Sequence, residues 1–159
     1  MILDFGCGKR KFPNAIGIDI DPDSDADIIH DLNKPFHFRK ANLIRAVEII
    51  EYLDNPKQFI QNCYNNLEGG GVLFLTTNNR DSLVNRIFKN YYHAKTHKSL
   101  MNIDELKNLL EGKFNILYIN FEPYDRVGKD NYARLRGLLH RFLPNSLRER
   151  IVCVCVRGG

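Results

Sequence analysis

The sequence lacks the segments that would place a chain in a membrane or mark it for secretion. No apolar run approaches the ~20 residues that cross a bilayer, and no charged stretch followed by an apolar one opens the chain. We therefore expect a cytoplasmic protein. The 159 residues are 43% hydrophobic and 26% charged, which is typical of a soluble globular protein, and we expect one domain over residues 1–159.

Cysteine is scarce, and its spacing does not fit the usual zinc sites. The four cysteines form no CxxC pair, so we expect no zinc. Cys153 and Cys155 stand two apart in an apolar run and would share one face of a strand. We interpret these two, with Cys7 and Cys63, as buried free thiols. The aspartates that alternate from 19 to 27 lack the Gly and Glu of an EF-hand loop, so no metal site is expected.

Short apolar runs alternate with helix-like stretches, which predicts an α/β fold with a largely parallel sheet. We predict strands at 1–5, 15–20, 26–30, 43–50, 72–77, 114–121 and 151–156. We predict helices at 55–67, 82–90, 103–111 and 132–142. Three glycines at 69–71 are expected to end the first of these helices.

The strongest functional signal is a glycine turn followed by acidic residues at successive strand ends. Gly6 and Gly8 come directly after the first strand, where they let the backbone turn sharply and approach a ligand. Asp19 ends the second strand, and such a carboxylate can accept hydrogen bonds from both hydroxyls of a ribose. Asp31 follows the third strand beside Leu32, a pairing that suits the amine and the ring of an adenine.

The same region does not match the common phosphate-binding patterns. The dinucleotide pattern needs a third glycine where Lys11 stands, and an acid about 20 residues beyond the turn, whereas Asp19 is much closer. The P-loop pattern GxxxxGK[ST] is absent. A ligand with ribose and adenine but no phosphate tolerates acidic lining better, and S-adenosylmethionine is such a ligand.

Two stretches together resemble the class I S-adenosylmethionine-dependent methyltransferases. They are ILDFGCGKRKFPNAIGIDIDP with the later ADIIHDLNKPFHF, and the middle stretch ANLIRAVEIIEYLDNPKQFIQNCYNNLEGGGVLFLTTNN. The first is similar to a methyltransferase type 11-like subgroup with a GCG turn and a short first crossover. The resemblance implies a Rossmann-like fold with a seven-stranded, mostly parallel sheet of order 3-2-1-4-5-7-6. The last strand would be antiparallel, and the first helix missing or very short.

By this resemblance, residues of the glycine turn and its neighbours bind the cofactor, S-adenosylmethionine. The methionine end would be lined by Asp4, Gly6, Cys7 and Gly8, and Glu48 would lie near the sulfonium.

The adenosine part of the cofactor would lie against the next two strand ends. Asp19 would hold the ribose with Ile20 against the adenine. Asp31 and Leu32 would contact the adenine.

The catalytic residue cannot be carried over from the resemblance, because this chain departs from the family there. Many members have Glu-His where this chain has Glu51 and Tyr52. Methyl transfer needs a general base only when the acceptor loses a proton in the step. The candidates are Glu48, Glu51, Tyr52 and His93, with His97 as a further one.

The resemblance implies that the acceptor is a small molecule, a sugar or a lipid-linked compound. The fourth strand is followed by EIIEYLDNP rather than by an Asn/Asp-Pro-Pro-aromatic motif, which argues against the amino-methyltransferases of DNA bases. The basic helix predicted at 132–142 has no regular aromatic interleave, so nucleic acid is not the expected partner. Residues 80–159 carry 15 Lys/Arg against 8 Asp/Glu. The basic helix at 132–142 could meet a membrane surface or an anionic acceptor.

Two other functions stay open. One is a non-catalytic module that binds S-adenosylmethionine or a partner, which the departure at Tyr52 favours. The other is a nicotinamide oxidoreductase, against which the missing third glycine counts.

The first crossover is too short for a helix. Only residues 9–14 are available between the turn and the second strand, and Pro13 is among them. One face of the sheet would then be uncovered near the first two strands. We expect a second subunit, as a homodimer or with another partner, or the basic helix at 132–142, to cover it.

Overall fold

The structure, a computed structural model, describes residues 1–83, 96–121, 144 and 150–158. The predicted helix at 132–142, most of the one at 82–90 and the candidate His93 lie outside the described residues. Within the described residues, no helix is long and apolar enough to span a membrane.

The described strands form one seven-stranded sheet of order β3-β2-β1-β4-β5-β7-β6, which confirms the predicted topology. The strands are β1 (Ile2–Phe5), β2 (Ile16–Asp19), β3 (Ile28–Ile29), β4 (Ala41–Val47), β5 (Leu67–Asn78), β6 (Phe114–Phe121) and β7 (Arg150–Arg157). The first five are parallel, and β7 runs antiparallel to both β5 and β6. The carboxyl ends of β1 to β5 therefore meet at one edge, where ligands of open α/β sheets bind.

Two helices are described, α1 (Pro56–Asn66) and α2 (Ile103–Leu110). The Asn55 side chain caps α1 by accepting from the backbone N–H of Gln58, and a proline occupies the first turn. Asn102 and Glu105 form a capping box at the start of α2. Both helices begin and end within one residue of the predicted bounds.

The core lies on one face of the sheet. Side chains that share a face with Phe5 are fully buried with α1 and α2, among them Leu73 and Cys155. On β4, β5 and β7 the alternate positions, which point to the opposite face, are mostly only half-buried. The four cysteines are buried free thiols, as predicted.

The largest differences from the predicted bounds are at the end of β4 and the start of β5. In addition, β3 (Ile28–Ile29) is shorter than the predicted 26–30, and β4 begins two residues before the predicted start. The predicted strand at 43–50 ends at Val47, because Glu48 adopts a left-handed backbone with φ of 52°. A 3₁₀ turn (Ile50–Tyr52) follows it. The glycines at 69–71 do not end α1: the chain is already extended at Leu67, and these glycines form an irregular start of β5, where the pairing with β4 shifts register.

No helix connects β1 with β2, as the short crossover predicted. The residues between them form turns, with backbone hydrogen bonds from Arg10 to Cys7 and from Ala15 to Phe12. Nothing helical from this part of the chain covers the face opposite the core.

Candidate functional site

A pocket of about 210 Å³ lies at the carboxyl ends of the parallel strands. Six residues predicted from the sequence line it: Gly6, Asp19, Ile20, Asp31, Leu32 and Tyr52. Five further residues line it that the sequence did not single out: His30, Asn33, Ile49, Leu53 and Lys98. Residues that follow β1, β2, β3 and β4 thus converge on one cavity.

The glycine turn closes the pocket beside β4. Gly6 has φ of +68°, and a Cβ atom there would lie 2.8 Å from a side-chain carbon of Ile49. Its N–H donates to the carbonyl of Ile18 over 2.8 Å. A side chain at this position would need both a disfavoured backbone and displacement of Ile49, so only glycine fits.

Asp19 is held in place by backbone groups on both of its carboxylate oxygens. The N–H of Gly8 donates to Oδ2 over 2.8 Å, and the N–H of Asp21 donates to Oδ1 over 3.0 Å. Each carboxylate oxygen can accept more than one hydrogen bond. Asp19 can therefore still receive hydroxyl donors in the pocket, while Ile20, a residue that is 63% exposed, offers an apolar surface next to it.

The loop after β3 forms another wall of the pocket. Asp31 Oδ1 accepts from the backbone N–H and the side-chain amide of Asn33, at 3.0 and 3.1 Å. The hydrogen bond from the Asn33 backbone N–H is the main cause that lowers the pKa of the Asp31 carboxyl. Leu32 is almost fully buried between them. A carboxylate that stays ionised beside an apolar side chain fits an amine-bearing ring.

Four residues of the predicted cofactor set are not among the pocket residues. Gly8 acts through its bond to Asp19, as described above. Asp4 is fully buried and forms an ion pair with Arg45, with 2.6 Å between Oδ1 and Nη1. Burial, followed by the charges of Asp19 and Asp4, raises the pKa of the Cys7 thiol to about 11. The thiol is therefore protonated at neutral pH.

Glu48 is the fourth of these residues. Its N–H donates to the carbonyl of Thr76 over 3.0 Å, and its carboxylate pairs with Arg150 at the start of β7. A left-handed backbone at a non-glycine residue costs free energy and persists only where its surroundings hold it. The bonds to β5 and β7 supply that restraint above the sheet edge.

Glu51 is buried, and both its carboxylate and its backbone carbonyl accept hydrogen bonds from other segments. Its carboxylate accepts from Thr77 Oγ1 over 3.1 Å and from the side-chain amide of Asn78 over 2.8 Å. Its carbonyl accepts from the N–H groups of Lys98 and Ser99. Burial raises the pKa of the Glu51 carboxyl. Glu51 thus joins the 3₁₀ turn to the end of β5 and to the segment that carries Lys98.

Tyr52 and Lys98 form the rim of the pocket. The Tyr52 ring meets the His97 ring edge to face, with centroids 4.9 Å apart. Burial raises the pKa of the Tyr52 hydroxyl, and the nearby Glu51 and Glu48 add to the effect. Lys98 Nζ lies 2.8 Å from Asp54 Oδ2. Of the catalytic candidates in the described chain, only Tyr52 therefore reaches the pocket.

The five lining residues that sequence reasoning missed are of two kinds. Four of them lie near predicted strand ends and within three positions of Asp31 or Tyr52, which was a usable signal: His30, Asn33, Ile49 and Leu53. Lys98 reaches the pocket through hydrogen bonds to Glu51, which is 47 positions away, and no local pattern indicates it.

Comparison with known proteins places the chain in a family. The model of the methyltransferase domain family matches residues 1–113. The chain is 30% identical over 109 residues to the mitochondrial ubiquinone biosynthesis O-methyltransferase of Rattus norvegicus, which covers 52% of this chain and 32% of that protein. The chain spans about a third of the length of this curated relative.

Solved structures show the same fold. A SAM-dependent methyltransferase from Archaeoglobus fulgidus superimposes with a TM-score of 0.70 at 20% identity, covering 98% of this chain and 85% of that one. A putative methyltransferase of Haloferax volcanii, in complex with the Trm112 activator, gives 0.72 at 11% identity, with 99% and 82% covered. The chain belongs to the methyltransferase domain family and has its Rossmann-like fold, as the resemblance of its sequence predicted.

Proposed function

We propose that the protein transfers a methyl group from S-adenosylmethionine to a small-molecule, sugar or lipid-linked acceptor. One observation carries the proposal: the pocket brings Asp19, Ile20, Asp31 and Leu32 together beside the glycine turn at Gly6. These residues come from three different strand ends, and adenosine is a ligand that uses all of them.

The described residues fit this cofactor. Asp19 retains acceptor capacity for ribose hydroxyls, and Ile20 with Leu32 offers apolar surfaces for a purine. The Lys98 ammonium that also lines the pocket is paired with Asp54, so the carboxylates of Asp19 and Asp31 disfavour a phosphate group and suit a ligand with cationic groups. When bound, S-adenosylmethionine supplies an activated methyl group, so the protein mainly aligns the acceptor and excludes water.

The acceptor is proposed to approach from the side of Tyr52 and Lys98. The relative from Rattus norvegicus is an O-methyltransferase, which supports a hydroxyl-bearing acceptor. A hydroxyl loses its proton during transfer, and of the described candidates only Tyr52 lines the pocket. Because the raised pKa of its hydroxyl keeps Tyr52 protonated at neutral pH, we assign it the role of orienting the acceptor by a hydrogen bond rather than that of the base. Glu48 and Glu51 would act on the acceptor only through the groups that they hold.

We also propose that residues 1–159 form one domain. The family match ends at residue 113. However, β6 and β7, which lie beyond that end, belong to the same sheet as the strands before it.

Methyl transfer is tested with radiolabelled S-adenosylmethionine and a panel of phenols, sugars and lipid-linked saccharides. We expect labelled product from at least one class, inhibited by S-adenosylhomocysteine and lost in Asp19→Ala. Tyr52→Phe should slow transfer to a hydroxyl while leaving cofactor affinity unchanged. Arg80→Met, in a surface ion pair with Glu105 outside the pocket, is the control.

A non-catalytic module that binds S-adenosylmethionine is the second candidate. The observation that favours it is that Glu48 and Glu51 are already engaged with Arg150, Thr77 and Asn78. The Haloferax volcanii neighbour was solved with an activator protein, which supports a partner subunit for such a module. Cofactor binding without transfer to any acceptor of the panel would favour this function.

A further inference from the structure

A buried ion pair lies beneath the glycine turn. Arg45 is a charged residue in the middle of β4, directly across from Asp4 of β1. Their side chains meet at 2.6 Å, with the Asp4 side chain fully buried and that of Arg45 26% exposed. Two charges removed from water are costly unless both are well paired. A charged pair at this place in a sheet therefore calls for a specific role.

The second oxygen of Asp4 is also occupied. Oδ2 accepts the backbone N–H of Phe12 over 2.8 Å. The guanidinium carbon of Arg45 lies 5.6 Å from the centre of the Phe12 ring, within range of a cation–π contact. Phe12 belongs to the short crossover between β1 and β2. The crossover is thus held at its backbone by Asp4 and at its side chain by Arg45.

The crossover leads from this pair to the pocket. Gly8, four residues before Phe12, donates its N–H to Asp19 Oδ2 and accepts from the N–H of Asp25, each over 2.8 Å. A shift of the crossover would therefore move the donor that holds Asp19. In an ordinary parallel crossover a helix packed on the sheet would restrain this segment, and here no helix is present.

We propose that Asp4 and Arg45 are positioning residues: their ion pair replaces the missing crossover helix and holds the glycine turn and Asp19 in the geometry that binds the cofactor. Asp4 then acts through Phe12 and Gly8 and does not touch the amino-acid end of the cofactor. The family resemblance implies the opposite, namely that Asp4 lines this end. The inference deepens the proposed function and rests on it for the identity of the ligand.

The pair is tested by calorimetric titration with two nucleosides that differ at one end. S-adenosylhomocysteine carries the amino-acid group, and 5′-methylthioadenosine lacks it. Asp4→Asn and Arg45→Met should each lower the affinity for both nucleosides by the same factor. We expect this factor to be about ten- to hundredfold, the range of a lost hydrogen bond to a charged group. Arg45→Lys should restore part of the affinity.

A double variant and a matched control complete the experiment. Removal of one partner leaves the other charge buried and unpaired, so the single variants lose stability. The double variant Asp4→Asn/Arg45→Met leaves no unpaired charge, and it should weaken nucleoside binding no more than either single change does. Arg157 is also half-buried, and its guanidinium carbon lies 4.5 Å from the centre of the Tyr64 ring. It is at the end of β7 that pairs with the start of β6, away from the pocket. Arg157→Met should lower stability without changing either affinity.

The outcomes separate the inference from the proposed function. Loss of S-adenosylhomocysteine binding alone in Asp4→Asn would show direct contact with the amino-acid end and overturn the inference. Unchanged affinities in the double variant would also overturn it. If the wild type binds neither nucleoside, the proposed cofactor is wrong. Hydrogen exchange at the backbone amides of Phe12 and Gly8 then tests the positioning role of the ion pair. We expect faster exchange in the double variant than in the wild type, and an unchanged rate would contradict that role.

Discussion

At Gly6 the backbone and the packing require the same residue. The φ of +68° disfavours any side chain, and the nearest atom to an added Cβ is 2.8 Å away on Ile49. Gly6→Ala should therefore cost more than the ~1 kcal/mol of left-handed strain alone. It should also reduce cofactor affinity, because Ile49 lines the pocket. Chemical denaturation and calorimetric titration measure the two effects.

Gly112 provides the matched control for Gly6. It also has a positive φ, of +80°, but nothing lies within 4 Å of an added Cβ. Gly112→Ala should lose about 1 kcal/mol of stability from backbone strain and keep full cofactor affinity. Equal losses of affinity in the two variants would contradict the role given to Gly6.

Glu51 makes the stability of the protein depend on pH. Burial raises the pKa of its carboxyl above the ordinary 4.5, so the native state binds this proton more tightly than the unfolded chain does. Its contribution to stability is therefore lost as pH rises from 4.5 through the raised native value, and is constant below both. Glu51→Gln does not titrate, and its stability relative to wild type should increase with pH across this range.

Urea unfolding of wild type and Glu51→Gln from pH 4 to pH 8 checks this expectation. The same difference in unfolding free energy at every pH would show that the carboxyl is not desolvated in the native state.

The sequence was informative about residues at strand ends and uninformative about distant partners. Gly6, Asp19 and Asp31 could be placed in one site because parallel strands bring their carboxyl ends together. The burial of Asp4 by Arg45, which is 41 positions away, could not be predicted from local pattern, and neither could the approach of Lys98. Both depend on pairings that exist only once the sheet has formed.

At the scale of elements, α2 depends on its cap. Asn102 accepts from the N–H of Glu105 at 3.0 Å, and Glu105 accepts from the N–H of Asn102 at 3.0 Å. Asn102→Ala should destabilise the protein by about 1 kcal/mol, or about 2–4 °C in Tm, without changing cofactor affinity. Thermal unfolding checks it, with Asn115→Ala on the exposed surface of β6 as control; equal Tm values for the two variants would contradict it.

Most elements could be predicted because apolar periodicity and capping residues agree. α1 begins after Asn55 and β6 spans the predicted residues 114–121. The start of β5 was missed because a glycine run normally signals a stop. Here Gly71 lies where an added Cβ would be 3.0 Å from the carbonyl of Ala41, so the glycines allow a close approach of β4. The end of β4 was missed because Glu48 adopts a backbone that its residue type does not favour.

For the whole molecule, the sheet face opposite the core carries apolar side chains that are only half-buried. The half-buried side chains there include Leu43, Phe74 and Val154. If a second subunit covers this face, the molar mass should rise toward twice the monomer value with concentration, and we expect this in light scattering. A monomer at all concentrations would exclude the homodimer and leave a different partner protein or residues 132–142 as the predicted cover.

Calorimetric titration of the wild-type protein with S-adenosylhomocysteine, with NADH as the control ligand, tests whether the pocket beside Gly6 holds an adenosine-containing methyl donor. We predict saturable binding on the order of micromolar, about −8 kcal/mol, loss of that binding in Asp19→Ala, and no binding of NADH. A folded sample that binds NADH, or that binds S-adenosylhomocysteine equally well without the Asp19 carboxylate, would contradict the proposed site.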